Sequence, residues 1–336
     1  MPMPMPMPAL LPFALAGLCA FAAAQCTTSW TSPPGGGADD RVRALLELAD
    51  GRVVAGGDFR MVGGVACEHV ARWDGSAWTP LGQGTDAAVR ALVQRPNGDV
   101  VAGGSFVTAG GVAAPWIARW DGAAWSSLGG GTNGAVWALA VRPNGNVVAG
   151  GNFSLAGGAP ANGVAEWDGQ AWSSYGSGVN ALVRALLVLP DGGVVVAGGF
   201  QVAGGAATNR IAVWDGANWT PLGGGTNGPV YALARRPDGT LLVGGNFSAA
   251  GGRRARNLAT WDGACWDTFG AGTDGPVHAL ACLPDGDVLV GGAFAEAGGA
   301  PAPGVARGDG AAWSAVDGGT TQAVDALRFV GDRVVA

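Results

Sequence analysis

Lysine is absent from this chain of 336 residues, histidine and tyrosine occur only twice each, and charged residues make up just 13% of the composition. Every basic side chain is therefore an arginine, and the formal net charge is -6. This mild acidity gives no broad electrostatic attraction to nucleic acid or to anionic membranes. Neither is expected as a partner.

The scarcity of histidine argues against most metal and nucleophile chemistry. His69 and His278 lie far apart along the chain, whereas zinc and copper sites draw on several such ligands and a Ser-His-Asp set needs a well-placed histidine. The nearest approach to a calcium loop is Asp285-Gly286-Asp287, which is more typical of a hairpin turn. We therefore expect no metal, no cofactor and no catalytic residue.

A long apolar run occurs only near the N-terminus, from Ala9 to Ala24, and its small final residues suit cleavage before Gln25. The run is short for a transmembrane helix. The preceding Met-Pro repeat, Met1 to Pro8, lacks the basic residues usual in a signal peptide. We expect residues 1–24 to be a signal peptide and the mature chain to be extracellular, on the cell surface or periplasmic, without a membrane span.

Cysteine is also scarce, and the spacing of the four cysteines in the expected mature chain matches no zinc pattern. Export would permit disulfides. The four cysteines nevertheless occupy different positions of the repeat described next, so free thiols and bridges both stay open. They are Cys26, Cys67, Cys265 and Cys282.

Glycine, with 62 residues, and tryptophan, with 14, are abundant and recur at a fixed period. The motif Val-x-Ala-Leu returns every 47 residues, at Val42, Val89, Val136, Val183, Val230, Val277 and Val324. Trp-Asp-Gly-x-x-Trp follows with the same period, starting at Trp73, Trp120, Trp167, Trp214 and Trp261, and the sixth copy has Gly308 for its first Trp. A Gly-Gly-x-Phe group is centred on Phe59, Phe106, Phe153, Phe200, Phe247 and Phe294. Such periodicity predicts tandem structural units.

Each unit contains four short strand signals and no sustained helical periodicity. In the first unit they are Val42 to Leu48, Arg52 to Phe59, Val70 to Trp73, and a strand beginning near Trp78. Asp-Gly or Asn-Gly turns suited to tight hairpins separate the first and second strands. A loop of about ten residues separates the second and third. Four strands in a unit of this length are typical of a β-propeller blade.

Six complete units extend from residue 42 to about 320, and a partial seventh covers 324–336. Trp30 resembles Trp78 and predicts a fourth strand that joins the C-terminal pair in one mixed, incomplete blade, which would remove an exposed edge. We therefore expect an all-β propeller over residues 25–336, with seven blades, or six as the alternative. The seventh blade lacks a third strand, so the sequence indicates a fragment or a premature stop.

The repeated side chains have structural explanations within such a frame. Flat tryptophan side chains fill the gaps between blades, where burying each contributes roughly 2 to 3 kcal/mol. The repeated Asp of Trp-Asp-Gly is expected to stabilise a turn, because no second carboxylate accompanies it.

The stretch VARWDGSAWTPLGQG, residues 70–84, carries the pattern Trp-Asp-Gly-x-x-Trp-x-x-Leu-Gly-x-Gly. It resembles the kelch-like and delta-60-type propeller repeats of secreted bacterial proteins, and it is similar to the repeats of the fungal cortical-marker family. The resemblance covers roughly Trp30 to Ala336. It implies a propeller with a binding or surface role, and fold analogy alone assigns no activity.

One position of the first strand varies between polar and aromatic residues while its neighbours stay apolar. It is the x of Val-x-Ala-Leu, namely Arg43, Arg90, Trp137, Arg184, Tyr231, His278 and Asp325. We predict that these residues surround the channel mouth on the face of the long loops, where they would bind an acidic or sugar-like group. The alternative is that they solvate the channel or fill gaps between blades.

The loops between second and third strands vary most between copies, and function in such folds resides on loops held by a rigid frame. We predict ligand contacts from Trp116, Arg253, Arg254 and Arg256. The chain is thus predicted to be an exported, non-enzymatic binding or adhesion scaffold for an anionic glycan, an acidic peptide or a protein partner. The alternatives are a polysaccharide hydrolase or lyase, to which Tyr231, His278 and Asp325 come closest, and a structural repeat domain of a longer surface protein.

Overall fold

A computed structural model describes residues 36–330 and 333–336, and the regular structure within these ranges is entirely β. Six four-stranded antiparallel sheets follow one another along the chain, each with its strands in sequential order. The first strands of successive sheets lie side by side, so the sheets radiate from a common axis. The predicted all-β propeller is confirmed, with six complete four-stranded blades in the described residues.

The first, innermost strand of each blade begins at the Val-x-Ala-Leu motif. These strands are β1 (Val42–Glu47), β7 (Val89–Gln94), β13 (Val136–Val141), β19 (Val183–Val188), β25 (Val230–Arg235) and β31 (Val277–Cys282). The second strands, which are buried along their whole length, are β2 (Val53–Gly57), β8 (Val100–Gly104), β14 (Val147–Gly151), β20 (Val194–Gly198), β26 (Leu241–Gly245) and β32 (Val288–Gly292).

The third strand of each blade ends at the first Trp of the Trp-Asp-Gly motif or its replacement. These strands are β5 (Val70–Trp73), β11 (Ile117–Trp120), β17 (Val164–Trp167), β23 (Ile211–Trp214), β29 (Leu258–Trp261) and β35 (Val305–Gly308). The outermost strands begin at the second Trp and are β6 (Trp78–Pro80), β12 (Trp125–Ser127), β18 (Trp172–Ser174), β24 (Trp219–Pro221), β30 (Trp266–Thr268) and β36 (Trp313–Ala315).

The connection between second and third strands is more regular than the expected loop, because it contains a small two-stranded hairpin in every blade. At its tip in the first blade, Gly63 and Gly64 have φ of 57° and 77°, the positive values that a tight hairpin turn requires. The hairpins are β3 (Met61–Val62) with β4 (Val65–Ala66), β9 (Thr108–Ala109) with β10 (Val112–Ala113), β15 (Leu155–Ala156) with β16 (Ala159–Pro160), β21 (Val202–Ala203) with β22 (Ala206–Ala207), β27 (Ala249–Ala250) with β28 (Arg253–Arg254), and β33 (Glu296–Ala297) with β34 (Ala300–Pro301).

The Gly-Gly pair of the second strand allows a β-bulge at the start of the first strand. Val42 pairs with Gly57 and Ala44 with Gly56, so Arg43 between them has no partner residue, and the other five blades show the same irregularity. A Cβ atom on Gly57 would lie 2.0 Å from the carbonyl oxygen of Arg41. The bulge therefore needs glycine opposite it, and it turns the unpaired side chain out of the regular alternation.

Tryptophan packs between blades, as predicted. The two rings of each Trp pair lie 5.4 to 5.6 Å apart within one hairpin. The indole Nε1 of Trp125 donates to the carbonyl oxygen of Leu81 in the preceding blade at 2.7 Å, and Trp266 donates to Leu222 at 2.8 Å. The same side chain thus fills the gap between two blades and hydrogen bonds across it.

The aspartate of Trp-Asp-Gly is a turn residue, also as predicted. The Oδ1 atom of Asp74 accepts backbone N–H groups from Ser76 and Ala77 at 2.8 and 2.9 Å. These bonds, that from Ala77 first, lower the pKa of Asp74 to about 2. The same backbone bonds recur at Asp121, Asp168, Asp215, Asp262 and Asp309.

The C-terminal segment lies between the sixth and first blades. A Cβ atom on Gly291 would contact Val324 and Leu327 at 2.8 and 2.7 Å, just as one on Gly56 would contact Val89 of the next blade at 2.5 Å. After residue 327 the short strands β37 (Arg328–Val330) and β38 (Arg333–Val335) pair with each other, and β37 lies beside β1.

The six-bladed alternative therefore fits the described residues, and the predicted partial seventh unit at 324–336 contributes only the short pair of strands that begins at Arg328. The strand predicted near Trp30, the signal peptide predicted for residues 1–24 and Cys26 lie outside the described residues. Cys67, Cys265 and Cys282 are free thiols. Among the described residues there is no helix that could cross a membrane.

Candidate functional site

The seven variable residues of the first strands form one connected group around the axis, which we term the channel ring. In the six complete blades they are the unpaired residues of the β-bulges, and the seventh, Asp325, comes from the C-terminal segment. The structure therefore brings together all seven predicted residues: Arg43, Arg90, Trp137, Arg184, Tyr231, His278 and Asp325.

One half of the ring, which we term the stacked half, is a row of alternating guanidinium and aromatic groups. The guanidinium carbons of Arg90 and Arg184 lie 3.9 and 4.6 Å from the centre of the Trp137 ring. Arg184 also lies 4.8 Å from the centre of the Tyr231 ring. The Nε of Arg90 donates to the Ser105 hydroxyl at 2.9 Å. Cation–π contacts of this kind hold the arginines without neutralising them.

The other half, which we term the paired half, is closed by ion pairs. The Tyr231 and His278 rings meet edge to face at 5.7 Å, and His278 Nδ1 lies 2.7 Å from an Asp325 carboxylate oxygen. Asp325 is also 3.9 Å from the Arg43 guanidinium. Arg43 donates two hydrogen bonds to Asp58, at 2.8 and 2.5 Å. Each carboxylate in this half thus has a basic partner.

The two halves differ in electrostatic character. Hydrogen bonding to Arg43 lowers the pKa of Asp58, and hydrogen bonding to His278 lowers that of Asp325. Within the part of the chain that the structure describes, no carboxylate forms an ion pair with Arg90 or Arg184. Burial lowers the pKa of Arg90, and the positive charges of Arg43 and Arg184 lower it further. The nearby charge of Asp58 raises the pKa of Arg90 and partly offsets these effects, but Asp58 is hydrogen bonded to Arg43, so the stacked half keeps a positive character.

The ring lies on the face that carries the long connections. Arg43 and Arg90 contact Asp58 and Ser105, the first residues after the second strands of their blades, where the connections to the third strands begin. The sequence reasoning missed these contacts. The signal was the variable x of Gly-Gly-x-Phe, which is Asp58, Ser105, Asn152, Gly199, Asn246 and Ala293.

The predicted loop contacts separate into two kinds. Arg253 and Arg254 are exposed on β28, and Arg256 is exposed beside a cavity between the fifth and sixth blades. Trp116 is only half-exposed and packs against the core of the second and third blades, with a left-handed φ of 62°. Its role is therefore at least partly structural, because its partly buried ring packs against apolar side chains.

Two cavities open on the same face between blades. One of about 470 Å³ lies between the third and fourth blades and is lined by Gly151, Asn152, Gly163, Val179 and Asn180, among others. The second, of about 330 Å³, lies between the fifth and sixth blades. In the described residues no cluster of three or more His, Cys, Asp or Glu side chains is arranged to hold a metal.

Comparison with known proteins identifies the fold and leaves the activity open. Residues 48–73, 236–259 and 283–307 match the family described as "Domain of unknown function (DUF5122) beta-propeller". The chain is a β-propeller. No curated protein matches it by sequence. The more specific kelch-like or delta-60-type assignment stays a prediction.

Solved structures show the same architecture at low sequence identity. The extracellular domain of the putative hybrid two-component system BT4673 from B. thetaiotaomicron has a TM-score of 0.60 and 11% identity over 89% of this chain, which spans 37% of that chain. YCF48 bound to D1 peptide has a TM-score of 0.54 and 14% identity, over 84% of this chain and 83% of that one. The computationally designed Ika8 protein has a TM-score of 0.55 and 21% identity, over 90% and 94%.

Proposed function

We propose that this propeller is an exported, non-enzymatic binding scaffold whose ligand presents an anionic group to the stacked half of the channel ring. The observation that carries the proposal is the pair of guanidinium groups, Arg90 and Arg184, that both stack on the Trp137 ring and form no ion pair with a carboxylate among the described residues. A rigid frame that holds two unneutralised arginines close together is suited to a carboxylate, sulfate or phosphate group.

The physical argument is one of charge compensation. Unpaired charges in a half-buried site are costly, and a bound anion would offset that cost for both arginines at once. The indole fixes the guanidinium planes, so less side-chain entropy is lost when the anion binds. The paired half has a different role in this proposal, because Arg43 is already engaged by Asp58 and Asp325. It closes the ring.

The test is a screen of the wild type and variants against arrays of acidic glycans and acidic peptides. We expect Arg90→Ala/Arg184→Ala to weaken binding by more than about 100-fold, since each charge-assisted hydrogen bond contributes about 1.5 to 3 kcal/mol. Arg90→Lys/Arg184→Lys retains the charge but loses the fork geometry, and it should bind at an intermediate level.

The matched control changes the same kind of residue at the periphery. Arg253, Arg254 and Arg256 are exposed, so replacing all three by Ala should weaken binding only modestly, through screened long-range charge. The proposal fails if the wild type binds no anionic ligand, or if the ring variant binds as well as the wild type while both retain the native melting temperature.

One observation favours a second candidate, a lyase acting on an acidic polysaccharide. The structure places Tyr231, His278 and Asp325 side by side, with Asp325 2.7 Å from His278. A histidine oriented by a carboxylate can act as a general base, and a neighbouring phenol can act as an acid. Such an enzyme would release unsaturated products with new ultraviolet absorbance from a uronate polymer. His278→Ala should abolish that release, and no release by the wild type would eliminate this candidate.

A further inference from the structure

Two positions that face each other determine the polar groups in the gap between the third and fourth blades. The residue before each third strand has a left-handed φ and is His69, Trp116, Gly163, Arg210, Asn257 or Gly304. In two blades its side chain reaches across the gap to a backbone carbonyl. Arg210 donates to Thr226 at 2.7 Å, and Asn257 donates to Thr273 at 3.1 Å. Gly163 has no side chain to make this bond.

The second position is the residue across the gap. Threonine at this position donates its hydroxyl to the carbonyl two residues further on, at 2.6 to 2.8 Å, in five of the copies. In the gap between the third and fourth blades, Val179 replaces this threonine and has no hydroxyl. The carbonyl of Ala181 therefore lacks the hydroxyl donor that its counterparts have in those five copies. The carbonyl of Val179 lacks the side-chain donor that Thr226 and Thr273 receive in two other gaps.

The cavity of about 470 Å³ is located at this gap, and its wall offers both donors and acceptors. The Asn152 side chain has no hydrogen bond within the described residues. Asn180 uses its Oδ1 to bind the backbone N–H groups of Gln201 and Val202, which leaves its amide N–H₂ group available. No charged side chain lines the cavity.

We infer that this cavity is a subsite for an uncharged, polyhydroxylated unit, and that the ligand of the propeller is a saccharide carrying both an anionic and a neutral sugar. The inference rests on the proposed function, because the anionic unit occupies the stacked half of the ring. The two sites adjoin: Gly151 lines the cavity, and its partner Val136 directly precedes Trp137.

The chemistry of the wall favours a sugar over an acidic peptide. Each sugar hydroxyl both donates and accepts, and so matches a neutral wall of isolated amides and carbonyls. An extended peptide is usually held along a free strand edge. Most of the residues that line this cavity lie outside the strands, so the cavity offers a peptide no continuous strand edge. The cavity volume is within the range of sites for small molecules.

The experiment compares two probes by isothermal titration calorimetry: glucuronate alone, and an aldouronic acid in which a glucuronate is attached to a short xylose chain. The wild type should bind the aldouronic acid at least about tenfold more tightly, which corresponds to about 1.4 kcal/mol. The double variant Gly163→Asn/Val179→Thr introduces the residue types found at the gap between the fifth and sixth blades. It supplies a side-chain donor to the backbone carbonyl of residue 179 and another to that of Ala181. It should lose this tenfold preference and keep its affinity for glucuronate.

The double variant should fold normally, because Asn257 and Thr273 occupy the same positions in the fifth gap with a φ of 64° at Asn257. Asn152→Ala, an exposed change in the cavity wall, provides an independent variant and should reduce the preference by several-fold. Equal preference in the wild type and both variants, or no preference in the wild type, overturns the subsite while the ring proposal stands. Failure of the wild type to bind either probe overturns both.

Discussion

Replacing Trp125 by Ala should destabilise the protein far more than replacing Trp116. Trp125 is 5% exposed, and the centre of its ring lies 5.5 Å from that of Trp120. Its Nε1 donates a hydrogen bond to the carbonyl oxygen of Leu81 in the preceding blade. Truncating a buried Trp to Ala costs roughly 3 to 5 kcal/mol. The Leu81 carbonyl would in addition lose its partner, which costs about 1 to 3 kcal/mol if water cannot replace it.

Trp116 provides a sharp contrast. Its ring is only partly buried and its backbone has a φ of 62°, which is costly for any residue except glycine. The equivalent residues Gly163 and Gly304 show that glycine is accepted at this position. Trp116→Gly loses packing but relieves backbone strain of about 1 kcal/mol or more. The net change should therefore be small.

Thermal melts followed by circular dichroism measure the difference. At about 2 °C per kcal/mol for a domain of this size, the lost packing in Trp125→Ala should lower the melting temperature by roughly 6 to 10 °C, and the unpaired Leu81 carbonyl should lower it by about 2 to 6 °C more. Trp125→Phe keeps most of the packing and removes only the hydrogen bond, so it should lie between Trp125→Ala and the wild type. Equal losses for Trp125→Ala and Trp116→Gly would refute the assignment of the repeated Trp to blade packing.

Two further predictions concern the bulge and the closure. Gly104→Ala would place a Cβ atom 2.1 Å from the Ala88 carbonyl oxygen and should lower the free energy of unfolding in urea by about 1 to 3 kcal/mol. The control Gly37→Ala, with no atom within 4 Å of the added Cβ, should leave it unchanged. An unchanged stability of Gly104→Ala would contradict the requirement for glycine opposite the bulge. The lowered pKa of Asp325 means that its carboxylate stabilises the closed ring above the ordinary Asp pKa of about 3.9, and that this stabilisation is lost as the pH falls through the lower folded value. Hydrogen exchange of residues 324–336 should accordingly increase below about pH 4 in the wild type. In Asp325→Ala it should be faster already at neutral pH. Protection in Asp325→Ala equal to that of the wild type would contradict the role of Asp325 in closing the ring.

The 47-residue period by itself determined the fold class, the four strands of each blade and the packing role of tryptophan. These features are local: alternating valines, Asp-Gly turns and paired Trp residues specify hairpins wherever they recur. The period also singled out the ring position, because polar and aromatic residues replace one another there within the otherwise constant Val-x-Ala-Leu motif. The small Gly-Gly hairpins escaped notice because strands of two residues are too short to show alternation.

Only the tertiary structure decided what the ring residues do. Arg43 and Arg184 look equivalent in the sequence, yet Asp58 and Asp325 neutralise the first while Trp137 and Tyr231 merely stack on the second. These partners lie on other strands, most of them in other blades, so no local pattern reveals them. The interblade cavity of about 470 Å³ is likewise lined by Gly163 and Val179, which are 16 residues apart in the sequence and meet across a gap only in the fold. The repeat determines the propeller frame, because every unit specifies the same four strands. The site consists of residues that differ between units, and these residues come into contact only in the folded ring.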